Sequence, residues 1–368
     1  MPENRLRQLP DTLQIAYEFA KVLFFVYCFL VSIDLMGSSF KESKDTLKPL
    51  LDHATAHPLV GLVIGVVMTS IIQSSSTTTS IVVAMVGAGT LTLQSAIPII
   101  MGANIGTTVT NTIVSFGYAG RKTEFRRSFG AAIVHDMFNI SAAIILFPVE
   151  MYTGILYKSA TFLTHVFGEL GGFKIISPLK IIIKPVSDIL EGVIPNKWVL
   201  LVLALMLLFF AMKKIIENMK GIVMEKVEFV LNRYLFRNAL ISFLFGMFLT
   251  SLVQSSSITT SIIVPIAGAG ILTVEQIFPY TLGANVGTTI TAILAALTMG
   301  IEVSLAVAFA HLLFNVFGIM IIYPIRRVPI WIARTIAGFV SKSKKHFLIF
   351  LLIYILLHTL PILAAFID

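Results

Sequence analysis

The clearest pattern along the chain is a series of apolar segments separated by short polar ones. Several of them approach or exceed the roughly 20 residues that an α-helix needs to cross a bilayer. The main examples are Leu13–Ile33, Trp198–Met212 with its flanks, Ala306–Tyr323 and Phe347–Phe366. Only 12% of the residues are charged and 57% are hydrophobic, whereas soluble domains carry about 25% charged residues. The pattern therefore predicts an all-α, polytopic membrane protein.

A polar motif interrupts this apolar pattern twice, at Gln73–Ser76 and again at Gln254–Ser257. The two copies align at a constant offset, and about half of the positions in Gly65–Ile113 are identical in the second copy. The match includes a glycine-flanked asparagine, which is Asn104 in one copy and Asn285 in the other. Two hydroxyl-rich repeats inside hydrocarbon are typical of the two halves of a solute site.

Each repeat is predicted to contain a re-entrant hairpin, a broken helix and a final span. The apolar segment around each polar motif is too short and too polar at its middle to cross twice, so we expect two half-depth helices. The next segment, Ala96–Val114 or Ile277–Leu297, holds two glycines around its asparagine. Because each glycine lowers helix stability by about 1 kcal/mol relative to alanine, we expect a break there. With final spans at Ala131–Phe147 and Ala306–Tyr323, the chain is predicted to have about seven spans and two hairpins.

Charge in the connections predicts how the two repeats are oriented. The connection before the final span carries the basic stretch Arg121–Arg127 in the first repeat, but only Glu302 in the second. After the final span the pattern reverses, with Glu150 in the first repeat and Arg326 and Arg327 in the second. Since Lys and Arg favour the cytoplasmic side, the repeats should have inverted topology. The formal net charge of +8 is therefore a topology signal, and nucleic-acid binding is not expected.

These signals divide the chain into four parts. Residues 1–150 are predicted to form the first repeat with its hairpin tip at 73–76, and residues 197–325 the second repeat with its tip at 254–257. Residues 151–196 should form an external connector, and residues 326–368 a basic amphipathic stretch and one extra C-terminal spanning helix. We expect a multi-pass protein of the plasma or inner cell membrane, in contact with the lipid bilayer and with a cytoplasmic N-terminus.

The polar segments inside the predicted membrane region are electrically neutral. Pro58–Gly117 contains no charged residue or histidine, and the only charged residue of Asn238–Ile301 is Glu275. Hydroxyl and carbonyl oxygens suit a hard cation such as sodium, and N–H groups at half-helix starts suit an anion. An anion that meets no Lys or Arg needs co-bound cations in a low-dielectric pocket, so the pattern favours an anion–sodium symporter.

Helix packing is the alternative explanation for these polar residues. Ser, Thr, Gly and Ala line ordinary helix contacts in membranes, because small side chains let two backbones approach closely. Duplication of the whole motif argues against simple packing for the two Gln-Ser-Ser-Ser turns. The alternative stays open for individual threonines, namely Thr78, Thr79, Thr259 and Thr260.

One carboxylate and two histidines also lie inside predicted spans. Asp136 has Leu312 as its counterpart in the second repeat, so it breaks the symmetry between the repeats. Intramembrane carboxylates are costly and usually functional, which makes Asp136 a candidate sodium ligand or charge carrier; an ion pair near the membrane edge is the alternative. His135 and His311 occupy equivalent positions, and they serve either structural hydrogen bonding or a proton relay.

Other classes of function lack their motifs in this sequence. There is no Gly-x-x-x-x-Gly-Lys-Ser/Thr loop, so an ATP-driven pump is unsupported. The serines lack a nearby histidine and carboxylate in a nucleophile arrangement, so we expect no enzyme and no cofactor. An ion channel lined by the hairpins stays open as a further alternative.

At these motifs the chain resembles the type II sodium-dependent phosphate cotransporter family, as a compact bacterial-type member. The similarity extends from about Leu13 to Pro329, and it includes both Gln-Ser-Ser-Ser turns, Val134–Asn139 and His311–Asn315. The resemblance implies sodium-coupled symport of inorganic phosphate by alternating access, with the two hairpins meeting at the substrate. A sodium-coupled carrier of another oxyanion, such as arsenate or sulfate, is the alternative.

Chemistry and resemblance together predict two sets of site residues. The expected phosphate ligands are Gln73, Ser74, Ser75, Ser76, Gln254, Ser255, Ser256 and Ser257. The expected ligands of the co-transported sodium, with no other metal, are Asn104, Thr108, Asp136, Asn139, Asn285, Thr288, Thr289 and Asn315. The resemblance associates Asp136 with an additional sodium in members that move net charge. Three positions depart from the family pattern: Tyr118 and Arg121 stand in place of a Gln and an Asp, and Ala284 in place of a Ser.

Overall fold

The computed structural model describes residues 11–170, 172–231 and 238–365, and the regular structure within them is helical throughout. The first nine helices are α1 (Asp11–Glu42), α2 (Lys44–Ala54), α3 (Pro58–Ile72), α4 (Ser75–Gly87), α5 (Leu93–Gly106), α6 (Val109–Phe116), α7 (Lys122–Thr153), α8 (Ile155–Glu169) and α9 (Gly172–Val193). The helices that follow are α10 (Lys197–Leu231), α11 (Ala239–Val253), α12 (Ser256–Ser261), α13 (Ile263–Gly268), α14 (Val274–Met299), α15 (Glu302–Ile322), α16 (Arg327–Val340) and α17 (Lys344–Ala365).

Six of the described helices or helix pairs are long and apolar enough to cross a membrane: α1, α5 with α6, α7, α10, α14 and α15. Helices α2 and α3 would together make a seventh, but they are bent by 107° at their junction. The all-α, polytopic membrane fold is thereby confirmed. Helix α17 occupies the predicted last span, although residues 366–368 lie outside the described residues, as do the N-terminal residues 1–10. The side of the membrane on which each loop lies stays a prediction.

The first polar motif forms the tip of a hairpin of two short helices. Helices α3 and α4 have 15 and 13 residues, or roughly 20 Å each at about 1.5 Å per residue, whereas the hydrocarbon core is about 30 Å thick. Gln73 ends α3 in the left-handed conformation at φ 60°, and Ser74 caps α4 by accepting a hydrogen bond from the Thr77 N–H. The Thr69 hydroxyl donates to the Thr78 hydroxyl at 3.0 Å and ties the two arms together.

The second polar motif has the same local structure. Gln254 ends α11 at φ 59°, and the Ser255 hydroxyl accepts from the Ile258 N–H at the start of α12. Thr250 and Thr259 join the two arms through hydroxyls 2.7 Å apart. Similar sequences therefore fold into similar hairpins, and in both of them a polar residue replaces the apolar side chain at the tip.

The predicted broken helix is present in the first repeat only. There the helix ends at Gly106, resumes at Val109 and continues as α6. In the second repeat α14 is continuous from Val274 to Met299, so the prediction of a break was wrong for that repeat. The break in the first repeat coincides with a contact at Asn111, whose amide donates to the Thr260 hydroxyl of α12 at 2.8 Å.

The glycines that suggested a break serve close packing instead. A Cβ added to Gly283 of α14 would lie 1.9 Å from the backbone oxygen of Phe243 in α11. A Cβ added to Gly102 of α5 would similarly lie 1.8 Å from the backbone oxygen of Leu62 in α3. Each of these helices therefore packs with its backbone directly against the first arm of its hairpin, as small residues allow in membranes.

Helices outside the repeats cover this central unit. Helix α10 packs along α1, and α16 packs on α7 with Ile330, Ala333 and Ala337 on its buried face. Helices α8 and α9 occupy the predicted external connector, while α7 extends three residues beyond the predicted boundary and ends at Gly154, which has φ 62°. The boundaries of the four predicted parts remain a proposal, and within the described residues they fall at or near helix ends.

Candidate ion-binding site

The two hairpin tips meet at the centre of the molecule. The Ser76 hydroxyl donates to the backbone oxygen of Gln254 at 3.4 Å, and the Ser257 hydroxyl donates to the backbone oxygen of Thr107 at 3.2 Å. The last two serines of each tip are buried, whereas the glutamines and the first serines are half-buried. The structure therefore brings the eight predicted phosphate-binding residues of the two repeats into one region.

Each glutamine fastens its tip to a later helix of the same repeat. The Gln73 Oε1 accepts from the Thr110 hydroxyl at 2.6 Å, and its amide donates to the Ser70 backbone oxygen at 2.5 Å. In the second repeat, Gln254 Oε1 accepts from the Thr291 hydroxyl at 2.5 Å. These bonds fix the left-handed backbone at the tip, and sequence reasoning had not identified the two threonines. The signal that could have found them is their conservation between the two repeats at the same offset as the glutamines.

Helices α4 and α12 both begin at this meeting point. The backbone N–H groups of a first helical turn have no intrahelical partner, and the helix dipole places partial positive charge there. At both tips the serine cap satisfies only one N–H directly, which is that of Thr77 or of Ile258. Serine hydroxyls and first-turn N–H groups can both donate hydrogen bonds, so the arrangement suits an anion.

A buried amide network lies next to the tips and joins the two repeats. The Asn285 amide donates to Asn139 Oδ1 at 2.7 Å, and the Asn139 amide donates to the Asn104 backbone oxygen at 2.7 Å. His135 Nε2 lies 2.5 Å from Asn285 Oδ1. Because the nitrogen of that Asn285 amide already donates to Asn139, its Oδ1 is the acceptor and His135 carries its proton on Nε2.

The network has a reciprocal half on the other side. His311 Nε2 and the Asn315 amide both lie 3.3 Å from Asn104 Oδ1. Each histidine thus contacts the glycine-flanked asparagine of the opposite repeat, with His135 on Asn285 and His311 on Asn104. Both rings are fully buried. Of the two roles left open for the histidines, hydrogen bonding between the repeats is the one that this geometry supports.

The predicted threonine ligands bond back to their own helices. The Thr108 hydroxyl donates to the Ile105 carbonyl at 3.0 Å, Thr288 to Ala284 at 2.9 Å, and Thr289 to Val286 at 2.7 Å. Each of these hydroxyls uses its proton on the backbone and keeps oxygen lone pairs, which are what a hard cation requires. The list of open cases resolves similarly for Thr78, Thr259 and Thr260, whose hydroxyls hydrogen-bond within or between helices.

Asp136 lies on a different side of α7 from its neighbour His135. Its side chain is only 1% exposed, and its Oδ2 accepts from the Thr112 hydroxyl of α6 at 3.4 Å. Among the residues that the structure describes, no cation forms an ion pair with it. It borders an apolar cavity of about 630 Å³ that is also lined by Ile140 and Phe350. A buried carboxylate with one hydroxyl partner is underprovided with compensating groups, which suits an ion-binding role.

The three positions that depart from the family pattern lie in two places. Arg121 is exposed and pairs with Glu124 at 3.0 Å, and Tyr118 is half-buried in the same loop between α6 and α7. Ala284 is buried in α14 beside the amide network, where its carbonyl accepts from Thr288. The alanine removes one hydroxyl from the central site, so backbone oxygens form a larger share of the possible cation ligands there.

Comparison with known proteins identifies the family. Residues 28–172 and 207–340 match the profile described as Na+/Pi-cotransporter. This chain belongs to the Na+/Pi-cotransporter family. The resemblance to type II sodium-dependent phosphate cotransporters is thereby confirmed, and the two matched ranges contain both hairpin tips and the whole amide network.

Curated members of the family cover almost the whole chain. Sodium-dependent phosphate transport protein 2A of Rattus norvegicus is 33% identical over 97% of this chain and 69% of its own length. Sodium-dependent phosphate transport protein 2B of Homo sapiens is 30% identical over 93% of this chain and 64% of its own length. This family member therefore spans about two thirds of the length of these relatives. No solved structure matches it.

Proposed function

We propose that this protein is a sodium-coupled symporter of inorganic phosphate. Its relatives are named sodium-dependent phosphate transport proteins, and it carries the family's paired motifs within a membrane fold. The observation that carries the proposal is the meeting of two buried, neutral hairpin tips, through Ser76 on Gln254 and Ser257 on Thr107. The protein acts as a carrier rather than an enzyme, and phosphate and sodium are its ligands.

Phosphate is proposed to bind between the tips. The serine hydroxyls and the N–H groups at the starts of α4 and α12 can donate to its oxygens, as half-helix starts do for anions in other carriers. Neither tip has a Lys or Arg in its membrane segment, which is Pro58–Gly117 in the first repeat and Asn238–Ile301 in the second. Helix dipoles supply only about half an elementary charge each, so a multiply charged anion needs further positive charge.

Sodium is proposed to supply that charge. The amide and hydroxyl oxygens beside the tips are hard ligands without competing cations, and they belong to Asn104, Thr108, Asn139, Asn285, Thr288, Thr289 and Asn315. Asp136 adds one formal negative charge in the first repeat only. In a low-dielectric region, an anion and a cation a few ångströms apart attract each other by several kcal/mol more than in water. Each ion therefore raises the affinity for the other, which is the basis of coupling.

Alternating access requires that the two repeats can change their contacts. Hydrogen bonds join them at the tips, including Ser76 to Gln254 and Asn111 to Thr260, and hydrogen bonds inside membranes contribute only about 1 kcal/mol each. Within the described part of the chain, the one ion pair between distant residues is Arg334 with Glu275, and both belong to the second half. The repeats are thus held by many weak contacts that exchange readily. Inverted repeats rocking around a midplane site would open it to each side in turn.

The orientation of the carrier follows from its loop charges. The positive-inside rule places the N-terminus and the connection Arg121–Arg127 on the cytoplasmic side of the cell membrane. The same rule places the connector helices α8 and α9 on the external side. In this orientation the two repeats enter the membrane from opposite faces, and their tips meet near its midplane.

Flux measurements with purified protein in liposomes test the proposal. Labelled phosphate should accumulate above its equilibrium level when sodium is high outside, and should not accumulate under an equal potassium gradient. Downhill flux without accumulation would indicate a channel, and preferential uptake of sulfate or arsenate would indicate another oxyanion carrier.

A matched pair of variants connects the flux to the tips. Ser76→Ala removes the hydroxyl that crosses to the second tip, whereas Ser80→Ala removes a buried hydroxyl that bonds only within α4, to Ser76 at 2.8 Å. We expect Ser76→Ala to lose most sodium-driven accumulation and Ser80→Ala to retain it. Equal effects of the two substitutions would contradict a substrate role for the tip.

A further inference from the structure

A second polar groove, of about 450 Å³, lies away from the hairpin tips. It is formed where α14 begins, α15 ends and α16 begins, and Glu275, Tyr323, Arg326, Arg327 and Arg334 line it. We name it the arginine groove after these three arginines. Because helix ends of spanning segments surround it, the groove lies at the boundary between the hydrocarbon and the headgroup region.

The arginine groove has more positive than negative charge. Arg334 pairs with Glu275 at 2.6 Å, and the Arg326 guanidinium lies 4.8 Å from the centre of the Tyr323 ring. Arg327 forms no ion pair with any acid in the described part of the chain. One carboxylate therefore faces three guanidinium groups, which bind phosphate oxygens in pairs with well-defined geometry.

An apolar surface continues from the groove along α11. Ala239, the first residue of that helix, lines the groove. Leu240, Leu244 and Phe248 follow at intervals of four residues on one helix face, and they are 63%, 46% and 60% exposed. Trp331 of α16, which is 66% exposed, also lines the groove, as expected for an aromatic residue at the membrane interface. A ligand here would meet cations at one end and an exposed aliphatic column at the other.

The first repeat shows that the fold alone does not require these arginines. An equivalent groove exists there, where α5 begins and α8 packs, and it is lined by Gln94, His165 and Glu302 without any Lys or Arg. Gln94 corresponds to Glu275, and Glu150 and Met151 correspond to Arg326 and Arg327. The shared fold makes a groove in each repeat, and only the second repeat makes it cationic.

We propose that the arginine groove binds the headgroup of an anionic phospholipid, whose acyl chains lie along the exposed face of α11. The phosphodiester would contact Arg326 and Arg327, and Arg334 would remain shared with Glu275. Basic pockets between membrane helices commonly bind such headgroups. The apolar column favours a lipid over free phosphate, since inorganic phosphate has no use for it. This site is separate from the proposed transport site at the hairpin tips.

Native mass spectrometry of the purified full-length protein tests the proposal, using titrations with phosphatidylglycerol and with phosphatidylcholine. Wild type should retain phosphatidylglycerol preferentially. The double substitution Arg326→Gln with Arg327→Gln should weaken that retention roughly thirtyfold, as expected for two cations near an anionic headgroup. A matched control, Lys342→Gln with Lys345→Gln, removes two exposed charges outside the groove and should change retention by less than about threefold.

Two further arms make the outcome decisive. Glu275→Gln leaves all arginines in place and releases Arg334, so it should strengthen phosphatidylglycerol retention by about fivefold even if the double variant folds poorly. Equal losses in the groove and control variants would overturn the proposal, because the arginines would then act only as general surface charge. Displacement of the bound lipid by potassium phosphate at millimolar concentration would also overturn it, and would assign the groove to free phosphate.

Discussion

Gly283 provides a sharp test of how closely the hairpins pack against the central helices. In Gly283→Ala the new Cβ would lie 1.9 Å from the Phe243 backbone oxygen and 2.9 Å from the Met247 backbone nitrogen, whereas ordinary contacts begin at 3.4 Å. Both obstacles are backbone atoms, so no side chain can rotate away. Helices α11 and α14 must therefore separate by about 1.5 Å at this point, which is the difference between 3.4 and 1.9 Å.

The expected cost follows from this displacement. Overpacking in a well-packed core costs about 1–3 kcal/mol, and alanine regains up to about 1 kcal/mol of helix preference over glycine. A net loss of roughly 2 kcal/mol should lower the thermal unfolding midpoint in detergent by several degrees. Because Asn285 lies two residues further along α14 and Gln254 ends α11, sodium-driven phosphate uptake should fall as well.

Gly130→Ala is the matched control. Gly130 is also a buried helical glycine, but its added Cβ would lie 3.5 Å from Val274 Cγ2 and 3.6 Å from Ala337 Cβ, which are ordinary contacts. This variant should unfold at or slightly above the wild-type midpoint and transport normally. If Gly283→Ala matched Gly130→Ala in both assays, the close backbone approach of α11 and α14 would be refuted.

Three further substitutions test individual contacts of the site. Thr110→Val removes the hydroxyl that holds Gln73, so the KM for phosphate should rise by about fivefold for the loss of one hydrogen bond of about 1 kcal/mol; an unchanged KM would show that the tip needs no fastening. Asp136→Asn should reduce the net current per transported phosphate in paired current and tracer measurements, and an unchanged ratio would exclude the carboxylate from coupling. His135→Leu leaves Asn285 Oδ1 without its donor and should destabilise the protein by about 1–3 kcal/mol in thermal unfolding, with partial rescue by His135→Gln; equal stability of the leucine variant would contradict the pairing.

The sequence was sufficient to predict local structure wherever a motif had a single physical solution. A polar Gln-Ser-Ser-Ser turn between two short apolar segments can be accommodated in a membrane only as a hairpin, and both hairpins are present. The glycines beside Asn104 and Asn285 had two solutions, a helix break or close packing. Only the positions of Leu62 and Phe243 on neighbouring helices decide between them, and neither position follows from the local sequence.

Contacts between the repeats were the part that sequence patterns could not provide. The i, i+4 spacing placed His135 and Asn139 on one face of a helix, but the partner of that face is Asn285, 150 residues away. Similarly, Ser257 reaches Thr107 only because the two hairpins are packed tip to tip. The inverted orientation was predicted from loop charge and remains a prediction, since helix packing alone does not define the sides of a membrane.

Reciprocal binding of the two ions tests the central claim that phosphate and sodium occupy one coupled site at the hairpin tips. Labelled phosphate binding to the purified protein should be measured across sodium concentrations, and labelled sodium binding across phosphate concentrations. The account predicts that sodium raises phosphate affinity, and that saturating each ion raises the affinity for the other by the same factor, as linkage requires. Equal phosphate affinity in sodium and in potassium would contradict it.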